Sequence, residues 1–191
     1  MLTDAQLAIR STRLWGSEVA WFCGLLTKYG KTVEQFIRIK AGLEVEPAIP
    51  EERVYWGTVL EPIIRTRVSA TQGWQIDRVN ETILDPTCAY RGCTPDGVIA
   101  PCPGHDTPGI LEIKNAKFCP AAGPPDYYVV QLQWNLACAQ MNWGVLAILV
   151  GGCELRIFEY AYDPQLVAAL HRIADTTWNN VSILKHKGAS V

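Results

Sequence analysis

The sequence predicts a mixed α/β fold, and three observations carry that prediction. The first half reads mostly as capped, apolar-periodic helices. The middle, from Trp74 to Asn115, changes to short runs of Val, Ile and Leu punctuated by Gly and Pro. A further helical segment then leads into two more strands and a last helix, and helices interleaved with a small mixed sheet form a mixed α/β domain. The 191 residues suit one domain spanning 1–191, since domains usually run about 100–200 residues. An apolar content of 49% with 19% charged residues can fill a core and excludes a disordered or collagen-like chain.

Each element has a local reason. Thr3 or Asp4 can cap a short helix running through Arg13, and Ser17 can cap a second over Glu18 to Thr27. Thr32 caps a third, Val33 to Ala41, with Gly42 as its left-handed stop. Pro50 opens a longer helix carrying Val54, Leu60, Ile63, Ile64 and Val68, inside which Pro62 predicts a kink or a turn. Strands are expected at Trp74–Val79, Thr82–Leu84, Gly97–Ala100 and Gly109–Asn115, with a Pro/Gly-rich turn between the last two in which His105 is expected to be solvated. A helix from Pro125 to Met141 precedes strands at Gly144–Val150 and Glu154–Tyr160, joined by a Gly151-Gly152-Cys153 hairpin turn. Asp163-Pro164 opens the last helix, which runs to about His186.

Several function classes are disfavoured. The longest apolar stretch, Val145 to Val150, falls far short of the ~20 residues that cross a bilayer. Met1 to Arg10 contains Asp4 and has no apolar core, so a cytoplasmic protein without a signal peptide is expected. Seven cysteines without tight spacing suit free thiols better than disulfides or a zinc site. The net charge of −2 does not advertise a nucleic-acid partner, although basic residues gather in the first forty positions and the tail.

The chemistry gathers in Pro95-Asp96-Gly97 and Leu111-Glu112-Ile113-Lys114. Alternate side chains of a strand share a face, so Glu112 and Lys114 point one way and Leu111 and Ile113 the other. If the two strands pair as a hairpin, Asp96 comes near Glu112. Two adjacent carboxylates repel, and a hard cation such as Mg²⁺ relieves the repulsion. Lys114 can orient or deprotonate a water, or neutralise charge on a phosphate. The Ile113 carbonyl is a further candidate ligand. Tyr128, Gln131 and Asn135 fall on one stripe of the next helix, where polar groups need partners. Glu61 lies in an apolar helix segment, where it either faces a metal or base or pairs with Arg65 at i+4. Arg10 and Ser17 can bind a phosphate or serve as an ordinary helix residue and an N-cap, and Arg13 is a neighbouring alternative to Arg10.

These motifs, in order, resemble a known group. Pro95-Asp96 with Glu112-Ile113-Lys114 matches the PD-(D/E)XK signature, and the chain looks like the phage lambda exonuclease and YqaJ-type viral recombinase family. Arg10 followed by Ser17-Glu18, Trp56-Gly57-x-x-Leu60-Glu61-Pro62, and Tyr127-Tyr128-x-x-Gln131-Leu132-Gln133 complete the match. The resemblance implies a restriction-endonuclease-like core, a central mixed β-sheet flanked by helices. It implies an exonuclease that uses Mg²⁺, with Mn²⁺ as a substitute, and cuts linear double-stranded DNA 5′ to 3′ to leave a 3′ tail. Asp96, Glu112, Ile113 and Glu61 would sit at the metal, with Lys114 and Gln131 acting on water and phosphate. Arg10 and Ser17 would hold the 5′ phosphate, and Tyr128 would support the site. A trimeric ring, a single-strand annealing partner and a phage origin are implied in the same way. The rival readings are an endonuclease or structure-selective nuclease with the same core, and a non-catalytic DNA-end binding module.

Overall fold

The computed structural model describes residues 9–79 and 82–188. The chain begins with β1 (Leu14–Trp15), a 3-10 turn (Gly16–Glu18), α1 (Val19–Phe22), a second 3-10 turn (Thr27–Tyr29), α2 (Val33–Lys40) and α3 (Glu51–Gln72). Five strands follow: β2 (Ile76–Asp77), β3 (Ile83–Leu84), β4 (Arg91–Cys93), β5 (Gly97–Ile99) and β6 (Gly109–Ala116). The remainder is α4 (Asp126–Ala139), β7 (Trp143–Val150), β8 (Glu154–Ala161) and α5 (Pro164–Gly188).

The main sheet has five strands in the order β2-β5-β6-β7-β8, and a smaller one has the order β1-β4-β3. Within the main sheet β6 and β7 run parallel, and its other neighbours are antiparallel. A parallel pair needs a crossover, and α4 supplies it. Strand alternation on β6 sorts the core into two layers. Leu111 and Ile113 pack with Ile64 and Val68 of α3, whereas Ile110 packs with Leu132 and Leu136 of α4. Glu112 and Lys114 follow Ile110 at intervals of two, so both lie on the α4 face. A third cluster joins α1, α2, α4 and α5 through Phe22, Phe36, Trp134 and Leu170.

Local chemistry explains most element ends. Thr32 accepts a hydrogen bond from the Gln35 N–H at 3.2 Å, and Asp163 accepts from Gln165 and Leu166 at 2.9 and 3.0 Å. Gly151 and Gly152 turn the β7–β8 hairpin with φ of 59° and 76°, a region open to glycine. Pro62 does not end α3. Thr58, whose carbonyl loses its intrahelical donor there, and Pro62 itself are both exposed.

Other expectations need correction. The helix expected over Glu18 to Thr27 is one short α-turn ending at Phe22, because Gly24 takes a left-handed φ of 75°. Ser17 is not its cap, since its hydroxyl faces Arg10 instead. The expected cap at Thr3 or Asp4 lies outside the described residues. β1 and β4 were not expected; neither has alternation, and they pair in parallel across distant segments, with Gly92 leaving room for the Trp15 ring. His105 is not solvated: its ring stacks on Trp143 at 3.6 Å, and its Nε2 lies 3.1 Å from Glu159. All seven cysteines are free, and burial pushes the Cys23 thiol up to about 12. Among the described residues no helix is long and apolar enough to cross a membrane.

Candidate active site

Asp96 stands just before β5, and its Oδ2 accepts the Ile113 N–H at 2.7 Å, which clamps the turn onto β6. Arg65 of α3 fixes the same turn by donating to the Asp96 carbonyl at 2.9 Å. Glu112, 2% exposed, sits opposite α4. Its Oε1 accepts from Lys114 Nζ at 2.7 Å and from Gln131 Nε2 at 2.6 Å, and its Oε2 accepts from Asn135 Nδ2 at 2.8 Å. Lys114 closes the triangle by donating to Gln131 Oε1 at 2.9 Å. The Tyr128 ring lies 5.5 Å from the ammonium.

The electrostatics of this cluster are unbalanced. Burial, and then the charge of Glu112, push the Asp96 carboxyl well above the usual carboxylate range, against the opposing pull of Lys114 and the Ile113 N–H. Burial alone would lower the Lys114 pKa, but Glu112 and Asp96 outweigh it and hold the ammonium above its ordinary value. Lys114 is therefore kept charged, and Asp96 lacks a cation of its own.

Asp96, Ile113, Lys114 and Gln131 line one wall of a cleft of about 420 Å³, with Arg10 and Ser17 on another. Arg10 Nη2 donates to Ser17 Oγ at 2.8 Å. Arg13 turns elsewhere, its Nε donating to the Ala89 carbonyl at 3.0 Å. Glu61 lines the same cleft but is engaged by Arg65 at 3.0 Å, with Arg78 at 3.9 Å. The structure thus brings Asp96, Glu112, Lys114 and Gln131 into one cluster, places Tyr128 beside it, joins Glu61 to the Asp96 turn through a shared Arg65 nitrogen, and sets Arg10 and Ser17 elsewhere on the same cleft.

Gly16 and Lys40 escaped the sequence reading, and Asn135 and Arg65 make contacts that it did not foresee. Asn135 was legible as part of a polar stripe, but its bond to Glu112 was not. Its Oδ1 is buried without a hydrogen-bond partner among the described residues, and a Cβ built on Gly16 would overlap it. Gly16 therefore lets the Arg10–Ser17 segment close against the carboxylate cluster. Arg65 was weighed only as a partner for Glu61. Lys40 donates to Glu18 at 2.7 Å and to the Arg10 carbonyl at 2.8 Å, a link across distant elements that leaves no spacing signal.

Among the described residues, no group of three or more His, Cys, Asp or Glu side chains is arranged to hold a metal ion. The donors present still fit a small hard cation, which commonly takes one or two carboxylates and keeps several waters. Ionised carboxylate oxygens offer about four acceptor sites, and the hydrogen bonds to Glu112 fill three of them. An open position on Glu112 Oε2, the Asp96 carboxylate and the Ile113 carbonyl make an all-oxygen set beside an uncompensated negative charge.

The sequence matches the model of the YqaJ-like viral recombinase domain over residues 6–142. The chain belongs to that family. Among solved structures, the YqaJ-like chain is similar to an alkaline exonuclease from Laribacter hongkongensis, at a TM-score of 0.73 and 23% identity over 98% of this chain and 99% of that one. The same exonuclease in complex with dAMP matches at 0.73 and 22%, again over 98% and 99%. A phage-related exonuclease from Haemophilus somnus 129PT matches at 0.68 and 12%, over 92% of this chain and 96% of that one. These likenesses show a shared mixed α/β fold. No curated protein matches the chain.

Proposed function

We propose that this YqaJ-like chain is a Mg²⁺-dependent exodeoxyribonuclease that degrades one strand of linear duplex DNA from its 5′ end, leaving a 3′ single-stranded tail for recombination by strand annealing. One observation carries the reading: a single cleft is lined by Asp96, by Lys114 and Gln131, which both hydrogen-bond the buried Glu112, and by the Arg10–Ser17 pair. The fold shared with alkaline and phage-related exonucleases supports it.

Asp96, Glu112 and the Ile113 carbonyl would hold the cation, for which Mn²⁺ can substitute, and Glu61, joined to the Asp96 turn through Arg65, would assist. When bound, the cation supplies charge neutralisation at the scissile phosphodiester and a lowered pKa for water. An ammonium has three donors, and two of those on Lys114 are engaged by Glu112 and Gln131. The third is left for the attacking water or a phosphate oxygen. From there Lys114 would orient or help deprotonate the water, or neutralise charge on the phosphate. Gln131 fixes both Lys114 and Glu112 through its amide. Tyr128 flanks the ammonium and restricts its swing. Arg10 would present its guanidinium to the terminal 5′ phosphate, with the Ser17 hydroxyl as a second donor.

A trimeric ring around the DNA, a single-strand annealing partner and action in the cytoplasm of a phage host complete the proposal. A ring would pool local basic residues from several subunits, which reconciles a net charge of −2 with a polyanionic substrate.

The test uses linear duplex labelled at either 5′ end, with and without a 5′ phosphate, and closed circular DNA. Mg²⁺ should release label from phosphorylated linear ends, EDTA should stop the release, and circles should persist. Degradation of circles would overturn end dependence, and cleavage in EDTA would overturn the metal requirement.

A further inference from the structure

A second cavity, about 570 Å³, adjoins the catalytic cleft and shares Ser17, Arg53 and Gln131 with it. Its volume lies within the roughly 300–1,000 Å³ of small-ligand pockets. Three tyrosines form its wall: Tyr29 from the second 3-10 turn, and Tyr127 and Tyr128 from the first turn of α4. The Tyr29 and Tyr127 rings meet edge to face at 6.3 Å, and those of Tyr127 and Tyr128 at 4.6 Å. Tyr29 is 60% exposed, so a large aromatic face stands open to solvent.

Cations border these rings. Lys31 and Arg53 line the cavity, and Lys28 lies 5.2 Å from the Tyr29 ring. Among the described residues Arg53 makes no side-chain hydrogen bond or ion pair, and it stands where the two cavities join. Aromatic faces interleaved with cations are how proteins hold single-stranded nucleic acid, with bases on the rings and phosphates on the charges.

We infer that this cavity receives the base of the 5′-terminal nucleotide, unpaired from its complement and stacked against Tyr29 and Tyr127, while Arg53 and Lys31 hold the adjoining backbone. The inference rests on the proposed reading of the cleft as an end-directed nuclease site. With the terminal phosphate at Arg10 and Ser17 and the scissile phosphate at Lys114, the sugar–phosphate chain fills the catalytic cleft. The open tyrosine wall past Ser17 and Gln131 is then the aromatic surface within reach of the terminal base. Every base has a π-face, so the site takes any deoxynucleotide, and its grip on an unpaired base favours fraying of the duplex end.

The test compares 5′-phosphorylated duplexes whose terminal nucleotide is either normal or a tetrahydrofuran abasic analogue. Binding is read by fluorescence anisotropy in EDTA, and first-bond cleavage by gel in Mg²⁺. The abasic end should bind about 5- to 100-fold more weakly, the worth of one stacked base. Tyr29→Leu with Tyr127→Leu should treat both ends alike, and Tyr29→Phe with Tyr127→Phe should keep the discrimination. Tyr29→Leu alone, at an exposed position, should lose part of it and guards against misfolding of the double variant. Equal binding of the two ends by the wild type, or discrimination surviving in the folded leucine variants, overturns the base site. Normal cleavage without discrimination overturns the base site and leaves the nuclease reading standing. Discrimination in binding without cleavage supports the base site and overturns the nuclease reading.

Discussion

Two Glu–Lys pairs in this molecule share the same 2.7 Å contact and differ in almost everything else. Glu18 and Lys40 come from separate elements and line a different pocket, with Arg10 4.0 Å from the same carboxylate. Glu18 also accepts the Trp15 N–H at 3.0 Å, and Lys40 also donates to the Arg10 carbonyl. Burial dominates there, lowering the Lys40 pKa and raising that of Glu18 despite their mutual attraction. The pair acts as a bolt on the backbone that carries Arg10. Glu112 and Lys114 are two residues apart on one strand, and Asp96 is close enough to change the outcome: Lys114 is pushed up rather than down. A short ion-pair distance therefore says little about role. What distinguishes the two pairs is the surplus negative charge that Asp96 adds beside Glu112 and Lys114.

The largest contrast comes from removing each lysine. Lys114→Ala should lower cleavage by about 10²–10³-fold, the usual loss for one preorganised electrostatic donor, while duplex binding stays near wild type. Single-turnover cleavage beside anisotropy binding measures both, and unchanged cleavage would remove Lys114 from its role. Lys40→Met should instead cost about 1–3 kcal/mol of folding stability by removing the main charged partner of the half-buried Glu18, which keeps the Trp15 N–H and Arg10. Glu18→Leu combined with Lys40→Met should recover most of that in urea denaturation, and no recovery would mean that the pair does more than fasten the segment.

Metal binding should separate the two regions next. Mg²⁺ at one hundred times its dissociation constant adds about 2.7 kcal/mol of stability. The rise in Tm should vanish in Asp96→Asn and persist in Glu18→Gln. The pH dependence follows from the same surplus charge. Asp96 binds its proton more tightly in the folded protein, so in EDTA its contribution is most favourable at low pH and is lost as pH rises through the raised folded value. Asp96→Asn should flatten that part of the stability curve, and an unchanged slope would place its origin elsewhere. The smallest effect expected is from Gly16→Ala. Its new Cβ meets Asn135, and relief of the overlap should cost about 1–3 kcal/mol and loosen the carboxylate cluster.

What could be read from the residues divides along the same line. The alternation of Leu111, Glu112, Ile113 and Lys114 specified both strand and face, and the Tyr128–Gln131–Asn135 stripe specified which side of α4 meets it. Those are period-two and period-three-to-four signals within single elements. The Glu18–Lys40 bolt, the Arg65 bond to the Asp96 carbonyl and the β1–β4 pairing join distant segments, and no local period encodes them. The helix expected to run to Thr27 failed for a different reason: the conformation of Gly24 overrode a favourable helical pattern. His105 carried the signal of a Pro/Gly turn, and the flat face of Trp143 captured it.

The crossover between β6 and β7 has a kinetic consequence. Glu112, Lys114, Gln131 and Asn135 all belong to one strand and the helix that follows it, so closing that short loop is enough to bring them together. Contacts of low sequence separation form early in folding. The Glu112 cluster is expected to assemble while the Arg10–Ser17 segment is still undocked, so the side of the cleft built on β6 and α4 forms before the side that carries Arg10.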